Sequence, residues 1–193
     1  MQEVEAAPQL IENIDHIKLN KLEDNHNLYL SLMLKKPKPV QIEPVYPNAN
    51  LYEKGRKYFV ADTSTESIVY FMQWEDRKIF GKKAAYQVLV WSDAGVRDIR
   101  GFALGTFFDI LLLNNDLIVT DRMQTHLGRR FWEMAIEKAL RESFYVYALD
   151  LNKKTKQRIY NMTELKSDKY QEYWTIEKSG QAKLMAISKK ALD

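Results

Sequence analysis

Small residues and arginines follow a predicted strand near the middle of the chain, at the point where a helical pattern begins. The run 100–106 reads Arg-Gly-Phe-Ala-Leu-Gly-Thr, and Arg97 precedes it. Small residues at a helix start let a ligand approach the backbone closely, and the first N–H groups of a helix lack intrahelical partners and lie at its positive dipole end. Beside Arg97 and Arg100, such groups suit a pyrophosphate. The competing interpretation is that the glycines and alanine only allow tight packing of a helix on a sheet.

Two side chains elsewhere are candidates for proton transfer. Glu75 ends a predicted strand next to Asp76, where a carboxylate could serve as a general base, although a charged turn is the commoner use of such a pair. His126 begins a predicted helix, and an imidazole exchanges protons near neutral pH. A lone His at a helix start is more often a cap or a surface group, so both interpretations stay open for each residue.

The composition excludes several kinds of protein. The chain of 193 residues contains no cysteine, which excludes a disulfide scaffold, a cysteine-ligated metal site and a thiol nucleophile. Its three His residues are too widely spaced for a local metal-binding run, so no metal site is expected. The apolar runs are too short to span a membrane, and the first residues lack the apolar region of a secretory signal. We expect a cytoplasmic protein without membrane association.

Proline divides the chain. All five prolines lie within the first 47 residues, so 36–50 predicts an extended connector, and we expect an N-terminal arm over 1–50 followed by one domain over 51–193. Within the arm, 11–22 is compatible with a short helix and 27–34 with a strand or a helical turn. The arm could contact a protein partner, and a homodimer is equally open.

Beyond the arm, two hydrophobic periods alternate. Strands are predicted over 57–62, 68–74 and 84–91, with the charged run 75–78 breaking the second, which gives an antiparallel meander. A helical period then marks 104–112 and 124–142, a buried-type strand lies between these helices, and another strand follows them. The later predicted elements are as follows: strands 117–120 and 144–151, a helical turn at 162–166, and a hairpin of 173–178 with 182–189. The fold class predicted is α/β (α+β), a mixed sheet with an antiparallel N-terminal meander, a βαβαβ middle and a C-terminal hairpin.

This order of elements, with the run Arg100 to Gly105, resembles the GNAT family of N-acetyltransferases. The family motif is Gln/Arg-x-x-Gly-x-Gly/Ala, which Arg100 and Gly105 match and Ala103 approaches. The resemblance implies that the cofactor is acetyl-CoA or another acyl-CoA and that an amine, which the sequence does not specify, accepts the acyl group. It assigns cofactor binding to these residues: Arg97, Arg100, Gly101, Ala103, Leu104, Gly105, Thr106 and Thr125.

A second family signature, Asn-x-x-Ala-x-x-x-Tyr, is altered in this chain. Thr125, Gly128 and Trp132 occupy the positions of its Asn, Ala and Tyr. In the family the Tyr hydroxyl can protonate the leaving thiolate, and an indole N–H is too weak an acid for that task. The alternative is therefore a catalytically degenerate GNAT-fold interaction protein. The run 121–128 is similar to a divergent GNAT-like group of phages and mobile elements, whose members would include accessory or host-targeting factors.

Two further expectations concern charge and aromatic residues. The formal net charge is +3 and the basic runs are short and dispersed, so a nucleic-acid partner is not expected unless those runs gather on one face. The four tryptophans are interpreted as core residues rather than as a platform for ligand stacking.

Overall fold

The computed structural model describes residues 19–40, 47–93, 95–96, 101–120, 126–174 and 183–192. Its helices are α1 (Leu22–Met33), α2 (Phe102–Gly105), a π-helix (Thr106–Leu111), α3 (His126–Arg141), α4 (Met162–Leu165) and a 3₁₀ helix (Asp168–Trp174). Its strands are β1 (Lys38–Pro39), β2 (Ala49–Glu53), β3 (Lys57–Asp62), β4 (Ser67–Ile79), β5 (Lys82–Ser92), β6 (Leu117–Val119), β7 (Tyr145–Asp150), β8 (Thr155–Ile159) and β9 (Lys183–Ser188). This mixed, mostly antiparallel architecture confirms the predicted α+β class.

The chain divides into two compact units. Unit 1 is Met1–Gln73 with Leu89–Ala103, and unit 2 is Trp74–Val88 with Leu104–Asp193. Strands β4 and β5 contribute residues to both units. The predicted boundary between an arm and a domain at residue 50 stays a prediction, and the two units follow a different division of the chain.

Unit 1 is an antiparallel meander with a helix packed against it. The hydrogen-bonded strand order is β1-β2-β3-β4-β5, and β3 has the predicted bounds. Helix α1 buries Leu28, Tyr29 and Leu32 in one cluster with Phe59 and Ile68. The segment 27–34, for which a strand was one alternative, is helical through Met33, and the predicted helix 11–22 lies largely outside the described residues.

Strand β2 was not predicted, because the prolines before it suggested a connector that reached residue 50. Ala49 and Leu51 are buried, and Asn50, Tyr52 and Glu53 are partly exposed. This is the pattern of a strand with one face on a core.

The predicted break in β4 at 75–78 is wrong, because the strand continues to Ile79. Glu75 and Asp76 are exposed, and Arg77 places its guanidinium carbon 3.8 Å from the centre of the Tyr86 ring. Charged side chains are compatible with a strand where they face solvent or cover an aromatic ring with their aliphatic part. Phe80 and Gly81, both with positive φ, then make the two-residue turn into β5.

Unit 2 contains the parallel part of the fold. Its strand order is β4-β5-β6-β9-β7-β8, in which β5 and β6 pair in parallel and β9 pairs antiparallel with both β6 and β7. The predicted βαβ succession and the helical turn near residue 162 are confirmed. Helix α3 buries Trp132, Ala135, Ile136 and Ala139.

The C-terminal hairpin differs from its prediction. Its second strand is β9, but Tyr173 and Trp174 belong to the 3₁₀ helix rather than to a first strand, and 175–178 lie outside the described residues. Tyr170 and Trp174 are the two buried residues of this 3₁₀ helix.

Candidate functional site

The structure describes part of the predicted cofactor segment. Arg97, Arg100 and Thr125 lie outside the described residues, as does the side chain of His126, whose backbone begins α3. The described part runs from Gly101 through Ala103, Leu104 and Gly105 to Thr106, which is buried.

Gly101 sets the backbone direction at the start of the helix. Its φ of +81° is in the left-handed region that favours glycine, and the residue is exposed. A Cβ built at this position meets no atom within 4 Å. The backbone conformation, rather than a shortage of space, therefore accounts for glycine here.

Neither a positive φ nor a lack of space for a side chain explains glycine at position 105. Its φ of −55° and ψ of −53° are helical, and a Cβ would lie 3.7 Å from Asp109 Oδ2, an ordinary contact. Alanine would fit among the described residues and would favour the helix. Tight packing, the competing interpretation of this small-residue run, finds no support at Gly101 or Gly105.

The helix widens directly after Gly105. Thr106–Leu111 form a π-helix, and the Leu112 N–H donates to the carbonyl of Phe107, five residues back, at 2.9 Å. Phe107 and Leu111 are buried, and the Phe107 ring stands edge-on to Phe131 and Trp132. Such widened turns occur frequently at functional sites, and the periodicity of the sequence predicted only an ordinary helix.

Strands β5 and β6 form the parallel pair of unit 2. Register runs from Ala84 opposite Leu117 to Tyr86 opposite Val119, so the chain leaves β5 and β6 in the same direction. Strand β5 leads into the cofactor segment 97–106, and β6 leads toward Thr125 and His126. Ligands of α/β sheets commonly bind at the carboxyl ends of such strands.

Trp132, which the sequence resemblance matched to the Tyr of the GNAT signature, is a core residue. It has no exposed surface, and its Nε1 donates a 2.6 Å hydrogen bond to Oε1 of Gln87, which is also buried. Trp74, Trp91 and Trp174 are buried as well, so the interpretation of the tryptophans as core residues is confirmed.

Gln87 is the residue that the sequence analysis missed. It lies in β5, in the run 84–91 that is rich in β-branched and aromatic residues, where a buried polar side chain needs a partner. The sequence did show an amide between two apolar strand positions. Nothing in the neighbouring sequence identifies its partner, Trp132, which lies 45 positions further along the chain.

Glu75 makes a surface ion pair. Arg77 donates through Nη2 to Glu75 Oε2 at 2.6 Å, and roughly half of the Glu75 side chain is exposed. The residue lies inside β4 rather than at its end, which corrects the expectation that it closes a strand. Its assignment as a general base stays a prediction.

Four of the eleven tyrosines have a raised pKa. Burial, reinforced by the hydrogen bond to Glu164, raises the pKa of Tyr170 to about 12. Burial also raises the pKa of Tyr29, Tyr58 and Tyr173. These phenols are therefore weaker acids than an ordinary tyrosine.

Within the described ranges, no three His, Asp or Glu side chains are grouped so that they could hold a metal ion, and no helix there is both long and apolar enough to cross a membrane. No protein-family model, curated protein or solved structure matches the chain.

Proposed function

We propose that this protein binds an acyl-CoA through residues 97–106 and transfers the acyl group, acetyl in the first instance, to an amine. The observation that carries the proposal is Gly105, a helical glycine for which the described neighbours provide no packing reason. A ligand that approaches the backbone of the first helical turn would provide that reason.

The order of the elements supports the same proposal. An antiparallel meander leads through α2 and the π-helix to a parallel strand, and α3 and further strands follow. This is the succession on which the GNAT resemblance rests, and both of its cofactor-binding segments follow the parallel pair β5 and β6.

The proposed reaction requires a general base and a source of a proton. The neutral amine nitrogen attacks the thioester carbonyl carbon, the C–S bond breaks as the C–N bond forms, and CoA leaves as a thiolate that takes up a proton. A base must first remove the proton of the ammonium ion, and Glu75 and His126 are the proposed candidates. Trp132 does not supply the final proton, because its indole N–H is committed to Gln87.

Calorimetric titration with acetyl-CoA, with CoA as comparison, tests the binding step. We expect micromolar affinity, and Arg100→Glu should weaken it by roughly tens of fold because a charge-assisted bond becomes a repulsion. Arg141→Glu in the last turn of α3 makes the same charge change at an exposed position and should leave the affinity nearly unchanged. Absence of binding at millimolar acetyl-CoA would overturn the proposal.

The burial of Trp132 favours a second candidate function, acyl-CoA binding without catalysis in a protein that acts through a partner. In a variant Trp132→Tyr of a protein that binds CoA but is inactive, thioester hydrolysis measured by thiol release should appear if only the acid is missing. No gain in a folded variant would mean that other catalytic groups are absent too, and partner capture would then be the informative experiment.

A further inference from the structure

Unit 2 contains a cavity of about 270 Å³ that the acyl-CoA proposal does not use. It is lined by the start of β5, by residues 113–116 after the π-helix, and by residues 188–192 at the end of β9. Pockets for drug-sized ligands measure about 300–1,000 Å³, so this volume suits a smaller molecule.

The lining of the cavity carries a surplus of positive charge. Four lysines contribute to it, Lys82, Lys83, Lys189 and Lys190, against the single carboxylate of Asp116. Asp116 Oδ2 accepts the backbone N–H of Lys83 at 2.7 Å. No carboxylate among the described residues forms an ion pair with Lys82, Lys189 or Lys190, so these ammonium groups are available to an anion.

Asn115 contributes to the wall of the cavity rather than to a ligand contact. The residue is nine-tenths buried, its Nδ2 donates to the Leu111 carbonyl at 2.8 Å, and its Oδ1 has almost no accessible surface. The cavity therefore offers a ligand its lysine side chains rather than this amide.

The walls of the cavity are held by hydrogen bonds. Ser188 Oγ lies 3.0 Å from the Asp116 carbonyl oxygen and 2.7 Å from the Lys190 carbonyl oxygen, and its single hydrogen can be donated to either. The Leu192 N–H donates to the Tyr147 hydroxyl at 3.0 Å. Segments that are distant in the sequence are thereby fixed around one space.

We propose that this cavity binds a small phosphate-bearing ligand, such as a phosphorylated five-carbon sugar. Lys82, Lys189 and Lys190 neutralise the phosphate. The site is independent of the acyl-CoA segment, which follows the opposite end of β5 in the chain.

Titration of the full chain with ribose 5-phosphate at low ionic strength tests the proposal. The double variant Lys189→Gln/Lys190→Gln should raise the dissociation constant by about tenfold, because it removes two phosphate contacts. Lys153→Gln/Lys154→Gln removes the same charge from exposed residues outside the cavity and should change it by less than about twofold. Equal losses in both double variants would show general attraction to a basic surface and would overturn the site.

A second measurement locates the bound ligand without any variant. In the unaltered protein, ribose 5-phosphate should shift the backbone amide resonances of 82–83, 114–116 and 188–192. Shifts confined to other residues, or a matching response to ribose without phosphate, would overturn the proposal even if the lysine variants failed to fold.

Discussion

Asn25 is a single buried amide that joins α1 to the meander of unit 1. Its Nδ2 donates to the carbonyls of Leu19 and Ile68 at 3.0 and 2.9 Å, and its Oδ1 accepts the Ile68 N–H at 2.7 Å. The amide therefore uses both of its N–H groups and its oxygen. These hydrogen bonds connect the start of α1 to the start of β4.

We expect Asn25→Ala to lower the free energy of unfolding by about 3 kcal/mol, because it leaves buried backbone groups without partners. Urea denaturation followed by circular dichroism measures this change. Asn27→Ala, two positions along the same helix, is the matched control and should cost less than about 1 kcal/mol. Similar losses for the two variants would contradict the assigned role of Asn25.

Tyr170 should lower the free energy of unfolding as the pH becomes alkaline. Its hydroxyl donates to Glu164 Oε1 at 3.1 Å, and burial and this carboxylate raise its pKa to about 12. An unfolded tyrosine has a pKa of about 10, so between these values the folded state holds a proton that the unfolded state has lost. The resulting stability is fully present below pH 10 and falls as the pH rises toward 12.

The variant Tyr170→Phe should show a shallower loss of unfolding free energy between pH 10 and 12, measured by urea denaturation at a series of pH values. At pH 7 it should be less stable by about 1 kcal/mol, since the bond to Glu164 is gone. Tyr160→Phe alters an exposed tyrosine and should keep the original pH dependence. If Tyr170→Phe leaves the pH dependence of the unfolding free energy unchanged, groups other than Tyr170 cause the loss of stability at alkaline pH.

At the scale of elements, the two glycines of the α2 segment should respond in opposite ways to the same substitution. Gly101→Ala should destabilise the protein by about 1–2 kcal/mol, because an L residue is strained at positive φ. Gly105→Ala should stabilise it by about 1 kcal/mol through helix propensity, yet weaken acetyl-CoA binding because a methyl group enters the approach of the ligand.

Thermal unfolding and calorimetric titration of both variants test this pair. A Gly105→Ala variant that binds acetyl-CoA as well as the original chain would remove the main support for the proposed cofactor segment. A Gly105→Ala variant that is destabilised would instead point to a packing constraint at that position.

The local sequence pattern was sufficient to predict some helices and strands but not others. The short apolar run in 57–62 predicted β3 to the residue, and the helical period of 124–142 predicted α3 to within two residues at its start and one at its end. The break placed at 75–78 failed because exposed charges are as compatible with a long strand as with a turn. The π-helix was missed because its apolar spacing at 107, 108, 111 and 112 is also that of an α-helix.

At the scale of the whole molecule, helix α1 determines whether the predicted domain 51–193 is independent. Leu28, Tyr29 and Leu32 of that helix share a core cluster with Phe59 and Ile68. We expect the fragment 51–193 to lack a cooperative thermal transition, since it exposes this apolar surface. A cooperative transition at the temperature of the full chain would show that the arm is dispensable.

A point variant of the full chain tests the same contact without truncation. Leu28→Asp places a charge in the core and should lower the unfolding free energy by about 3 kcal/mol or more. Leu22→Asp, on an 85% exposed residue of the same helix, should have little effect. Equal stability of the two variants would contradict the packing of α1 on the meander.

The sequence by itself determined most of the elements, the parallel character of the middle of the chain and the small-residue run at 100–106. These follow from local chemistry, because side-chain period, turn residues and glycine conformation act over a few positions. The tertiary structure alone decided that β9 lies between β6 and β7, that Trp132 is bonded to Gln87, and that four lysines surround one cavity. Each of these depends on which distant segments meet, and that choice is made by packing and hydrogen-bond satisfaction over the folded chain.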